Sequence, residues 1–248
     1  MKHSLLALSA TAILLGNSVS VQAGEFTLGA GAATFKAPYT GFKDDSAGLL
    51  FAEYAGEDLT IGTEGIDYRL LGDDESPWNL SATLTSVGMG FDSGDSAFFT
   101  GMADRDTSID LGVSVDYQLG SGFIGATLVH DISSTHEGFV AELEYGHPFE
   151  LANEILFVPT AGISYLSEDY TDYYYGVRAG EATASRAAYK ADAAVTTSIG
   201  YQLMVPLTEN WQLFHSADYT WLGDEISDST IVNRDNVWSA TLGVTYTF

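Results

Sequence analysis

The chain has no cysteine, so neither a disulfide framework nor a thiolate metal centre is available to it. Basic residues are almost as scarce. Nine Lys and Arg stand against 34 Asp and Glu, a formal charge of −25. Nucleic-acid binding needs a basic face, which this composition excludes. Nor does any apolar run reach the roughly 20 residues of a membrane-spanning helix, because Ser, Thr, Asp or Gly interrupts each one. With only five prolines and no Pro/Ser-rich linker, the chain reads as one domain. An acidic chain poor in order-promoting residues would be disordered, but aromatics make up 12% here. The acidity therefore belongs to a surface or a lumen that attracts cations.

What is present starts with a leader. Lys2 and His3 precede a mostly apolar run from Leu5 to Gly16, and Val21-Gln22-Ala23 offers small residues at a cleavage position. That order is a secretory signal peptide. Residues 1–23 are expected to be removed, leaving 24–248 as the mature domain.

The end of the chain is equally informative. Trp238, Ala240, Leu242, Val244, Tyr246 and Phe248 share one parity, while Ser239, Thr241, Gly243, Thr245 and Thr247 share the other. A strand with one apolar and one small polar face suits a barrel wall between lipid and lumen. A soluble sandwich would alternate similarly, but this strand ends on an aromatic and carries aromatics at both ends, as interfacial girdles require. Its end, with Trp238, Tyr246 and Phe248, resembles the signature read by the barrel assembly machinery. Ile109 to Gln118, Phe139 to Gly146 and Val195 to Val205 alternate in the same way. Each is about ten residues, enough for a tilted strand to cross the hydrocarbon.

Turn lengths alternate too. Short connections fall at Gly56–Asp58, Gly72–Pro77, Gly120–Gly122, Pro148–Asn153 and Pro206–Asn210. Longer ones cover Lys36–Ser46, Met89–Asp106, Ser167–Tyr189 and Gly223–Asn236. Short periplasmic turns with longer external loops are the outer-membrane arrangement. The reading is an all-β, antiparallel transmembrane β-barrel with strands starting near 25, 48, 59, 65, 78, 107, 122, 137, 154, 190, 211 and 236. That makes twelve strands, with ten as the alternative count, because Leu59 to Leu71 must hold two very short strands. Such a chain sits in the outer membrane of a Gram-negative bacterium, among lipid and lipopolysaccharide.

Asp172-Tyr173-Tyr174-Tyr175-Gly176-Val177, followed by Ala179-Gly180-Glu181-Ala182 and Tyr189, resembles a motif of the MipA/OmpV family of outer-membrane proteins. Arg105-Asp106 before Ile109 to Tyr117, His136-Glu137-Gly138, and Pro159 to Tyr165 fit as well. Glu137 stands where the family pattern leads one to expect a small residue. The resemblance implies one of two roles: a scaffold joining a murein transglycosylase to a murein synthase, or a porin-like channel. It implies no catalytic residues and no cofactor.

The residues themselves offer little enzymology. His130, Asp131 and Ser133, or His215, Ser216 and Asp218, supply hydrolase residue types, but His215 and Ser216 point to opposite faces of a strand, and His130 lies at a strand end, where an interfacial or loop histidine is ordinary. Carboxylate clusters at Asp44-Asp45, Asp73-Asp74-Glu75, Glu168-Asp169-Asp172 and Asp224-Glu225-Asp228 suit hard cations, though none has calcium-loop spacing; solvated acidic loops are the plainer reading. By parity, Asp110, Asp116, Glu142, Glu144 and Asp218 point into the lumen. That favours a hydrated, cation-attracting interior, with a packed polar plug as the alternative. The tyrosines at Tyr170 and Tyr173 to Tyr175 fit an external aromatic girdle or a partner-recognition patch.

Overall fold

The computed structural model describes residues 24–42 and 45–248, without the side chain of Asp45. The expected signal peptide and Asp44 lie outside the described residues. The strands are β1 (Glu25–Lys36), β2 (Asp45–Ala55), β3 (Leu59–Gly62), β4 (Gly65–Leu71), β5 (Trp78–Thr85), β6 (Asp110–Leu119) and β7 (Gly122–Asp131). They continue as β8 (Phe139–Gly146), the two-residue β9 (Phe149–Glu150), β10 (Leu156–Leu166), β11 (Ala194–Pro206), β12 (Trp211–Trp221) and β13 (Asn236–Thr247). Leaving β9 aside as a hook at the foot of β10, twelve antiparallel strands among the described residues each pair with their neighbours in sequence. The sheet then closes, Thr27 of β1 opposite Thr247 of β13 and Lys36 opposite Trp238. Closure is what lipid demands, since an open edge would leave unpaired backbone groups in hydrocarbon.

Period-two patterning sets the faces. On β6, Leu111, Val113, Val115 and Tyr117 are exposed on the outside, while Asp110, Gly112, Ser114 and Asp116 take the inner parity. The same rule turns Phe139, Leu143 and Tyr145 of β8 and Val195 and Ile199 of β11 to lipid. Two aromatic belts bound this apolar band. Trp211 and Tyr246, with centroids 5.1 Å apart, mark the periplasmic belt beside Phe248, and Tyr219 and Trp221, at 4.7 Å, mark the external one beside Trp238. The last residue is held in place, its amide donating to the carbonyl of Phe26. The stretch from Leu59 to Leu71 forms the two short strands that the sequence requires, with β3 and β4 joined by a tight turn in which Gly62 faces Gly65.

At the seam, Gly243 faces inward, and a Cβ there would lie 2.6 Å from the ring of Phe214. Phe214 packs edge-on against Phe51 from across the seam, at 5.1 Å. An aromatic pair thus fills the room that the glycine vacates.

Candidate functional site

The long loops build a folded body on the external end, and its core continues onto Val129, Val140, Leu166 and Ala194 of the strand ends. Residues 37–42, 86–109, 167–193 and 222–235 meet over the barrel mouth, carrying α1 (Glu168–Tyr175) and α2 (Asp224–Ser227). A single bridge joins Tyr39 of the first segment to Val232 of the last, while Phe91–Arg105 and Val177–Tyr189 bridge within their own loops. The core is aromatic. Phe91 stacks on Phe99 at 4.5 Å, Tyr39 meets both edge-on, and Tyr174 lies against Tyr170 at 4.8 Å. Ser167 caps α1 by accepting from the Tyr170 amide, and its position turns Tyr170, Thr171, Tyr174 and Tyr175 inward.

This overturns the girdle reading of the tyrosines. Tyr170, Tyr174 and Tyr175 lie on a helix in the middle of the lid, where their hydroxyls cannot meet a membrane interface. The Tyr174 hydroxyl donates to the carbonyl of Asp106, and Tyr39 to that of Met89. Tyr173 remains half-buried, its carbonyl accepting from Arg105 Nε at 2.6 Å and its hydroxyl from the Asp106 amide. In the motif Asp172 to Val177, Asp172 accepts from the Ala191 amide and Val177 pairs with Tyr189. The motif therefore holds the lid together.

Ionic groups are buried with it. Arg105 and Glu181, 2% and 6% exposed, form a pair at 3.0 Å. Glu181 also accepts from the amides of Ala103 and Arg178, and Arg105 lies over the rings of Phe91 and Tyr173. Arg186 spends its guanidinium on the carbonyls of Glu181, Phe98 and Thr100. No local pattern in the sequence pairs Arg105 with Glu181 across a separation of 76 residues.

Burial pushes the Tyr39 and Tyr170 hydroxyls well up, and that of Tyr175 to about 12. A group whose folded pKa is raised keeps its full contribution below the unfolded value, about 10 for tyrosine, and loses it as pH climbs towards the folded value. The lid is therefore expected to loosen above about pH 10. Tyrosinate absorbance followed against protease sensitivity of residues 167–193 checks this. A lid equally protected at pH 8 and pH 11 would refute it.

Below the lid, the barrel interior is acidic. Asp116, Glu142, Glu144 and Asp218 occupy inner-parity positions, and Glu53 and Asp67 join them through the registers Glu53–Gly62 and Asp67–Thr83. Parity within β2 and β4 would have found the last two. Ser164 donates to Glu142 at 3.0 Å, Thr83 to Asp67 at 2.6 Å and Thr220 to Asp218 at 2.9 Å. Among the described inner strand positions, Arg69 is the basic residue. It sits at the periplasmic end, held by Asp58 at 3.0 Å and Asp74 at 2.6 Å.

Asp110 differs from its companions. It points inward but is fully buried beneath the lid, accepting from Ser108 and lying 3.4 Å from His136 Nε2. Ser108, His136 and Asp110 have the residue types of a catalytic triad, but the polarity of their hydrogen bonds is wrong for one. The Gly138 amide donates to His136 Nδ1 at 3.0 Å, so the ring proton sits on Nε2, which donates to Ser108. A nucleophile's base must accept at that nitrogen. The other candidates do not converge either. His130 contacts the carbonyl of Asp131, Ser133 donates to Asp131, and His215 and Ser216 face opposite sides. No grouping of three metal-ligating side chains occurs among the described residues. Glu137 has a φ of 58°, in the left-handed region that favours glycine.

Comparison with known proteins agrees with this architecture. The sequence pattern of the family described as MltA-interacting protein MipA matches residues 28–248. Outer membrane protein Omp26La of Vibrio anguillarum is 38% identical over 200 residues, 81% of this chain and 77% of that one. Outer membrane protein OmpV of Vibrio cholerae is 37% identical over 207 residues, 83% and 80% of the two chains. The MltA-interacting protein of Escherichia coli K12 is 25% identical over 247 residues, covering 98% and 99%.

Proposed function

The chain belongs to the MltA-interacting protein MipA family of outer-membrane proteins, and on that footing we propose that it is a non-enzymatic scaffold for peptidoglycan-remodelling enzymes. The partners are a murein transglycosylase and a murein synthase, as the name of the Escherichia coli relative suggests for the first of them. The observation that carries this reading is the lid. A barrel whose external mouth is covered by loops packed through an aromatic core onto the strand ends turns its working surface to the periplasm.

That surface has one sign of charge. Glu57, Asp58, Asp73, Asp74, Glu75, Glu150, Glu154 and Glu209 lie in or beside the short turns, and Arg69 is already engaged by Asp58 and Asp74. A docking partner therefore presents a basic surface, and its association weakens with salt. Pull-down from detergent extracts is expected to enrich murein enzymes at low salt, and replacing Asp73, Asp74 and Glu75 by their amides is expected to reduce that enrichment several-fold. Failure to enrich any murein enzyme removes the scaffold.

The inward carboxylates favour a second reading, a cation-preferring diffusion channel. Planar-bilayer conductance with a cation/anion reversal potential decides it; no conductance removes the channel.

A further inference from the structure

On the outer wall, β12 breaks the apolar rule. Trp211 and Trp221 end it at the two interfaces, and His215 lies four residues above Trp211. For a tilted strand that is about 10 Å of depth, inside the hydrocarbon. Its outward direction follows from register, opposite Leu203 on β11 and Leu242 on β13, both of the lipid-facing parity. Beside it stands Tyr201, also outward, its ring stacked on the imidazole at 5.6 Å and 19°. Phe157 flanks Tyr201 on the far side at 5.6 Å. Neither the imidazole nitrogens nor the phenol has a hydrogen-bond partner among the described residues. On β6 and β8 the corresponding band is Leu111, Val113, Val115, Ala141 and Leu143, with nothing polar.

Acyl chains offer no hydrogen bonds, so an imidazole and a phenol facing them are left unsatisfied at real cost. An occupant able to satisfy them must itself cross the membrane at the same depth. We infer that the outward face of β11 to β13 seats a second copy of this chain. A copy related by a twofold axis meets both conditions by construction. Imidazole and phenol each carry one donor and one acceptor. The axis sets His215 of one protomer against Tyr201 of the partner subunit, and the reverse contact follows by symmetry. Ala217 pairs with Ala240 on the same face, a low point between Tyr201 on β11 and Tyr219 further up β12.

The absence of cysteine makes the test clean. Ala217→Cys in outer membranes, treated with a bismaleimide, is expected to give a product of twice the chain mass. Val113→Cys, on the far wall, is expected to give none. His215→Leu with Tyr201→Phe in the Ala217→Cys background is expected to lower the product about tenfold. Heat-modifiable mobility reports that each variant is folded. Should the double variant not fold, His215→Gln, which keeps a donor and an acceptor, is expected to retain the product. The inference is overturned by an uncross-linked chain, by a product of any other mass, by equal cross-linking at Val113→Cys, by an undiminished product in the double variant, or by its loss in His215→Gln.

Discussion

Replacing Glu181 by alanine is expected to unfold the external lid while the barrel stays closed. The change strands the Arg105 guanidinium, 2% exposed, without its carboxylate, and it leaves the amides of Ala103 and Arg178 without an acceptor. Removing one partner of a buried pair costs about 3–5 kcal/mol, comparable to the stability of a small folded body. The strands do not depend on this pair, because their ladders are complete without it. Protease added to intact cells is expected to cut within residues 167–193 of the variant and spare the wild type, with heat-modifiable mobility unchanged in both. Arg105→Met combined with Glu181→Leu, which removes both charges, is expected to recover much of the protection. A Glu181→Ala lid as resistant as the native one refutes the role of the pair.

The pH dependence has a definite sign. Burial pushes the Glu181 carboxyl up, but hydrogen bonds from Arg105 and the two amides outweigh it and hold the group below its ordinary value. Between the folded and unfolded values the unfolded chain binds more protons. The contribution is therefore complete above the unfolded value, about 4.3, and disappears as pH falls through the folded one. Wild-type protection is expected to decline below about pH 4, and that of Glu181→Ala to show no step there.

Gly112→Val is expected to abolish barrel assembly. Gly112 faces inward on β6, and a Cβ there would overlap the Leu128 carbonyl oxygen and lie 2.7 Å from the Val129 Cα. Both are backbone atoms of β7 and have no rotamer to yield, so the β6–β7 ladder must part. Each backbone group left unpaired in hydrocarbon costs several kcal/mol, and opening two or three is comparable to the net stability of a whole domain. Gly48→Val on β2, of the outward parity, is the control, since nothing lies within 4 Å of its Cβ position. The heat-modifiable fraction after refolding measures both. Equal yields would mean that β6 and β7 shift apart at little cost.

Much of this molecule was decided locally, and that part was legible. Strand faces follow from period two, and a one-residue slip would turn Leu111, Val113 and Val115 into the lumen and Asp116 into lipid. Hence the alternation, the short turns and the closing strand from Trp238 to Phe248 determined compartment, topology and the inward carboxylates without reference to anything distant. The lid was not legible. Its loops carry no period, and their order comes from contacts such as Tyr39 with Phe91, Phe99 and Tyr175, which join segments far apart in the chain. The tyrosine run illustrates the difference. As a sequence it suits an interfacial belt, yet Ser167 caps a helix there and the packed loops bury three of the rings. Likewise, parity fixed that His215 faces outward and Asp110 inward. Only the assembled barrel placed His215 beside Tyr201 and sealed Asp110 under His136, because neighbourhood across strands is set by register and loop packing, which no single segment contains.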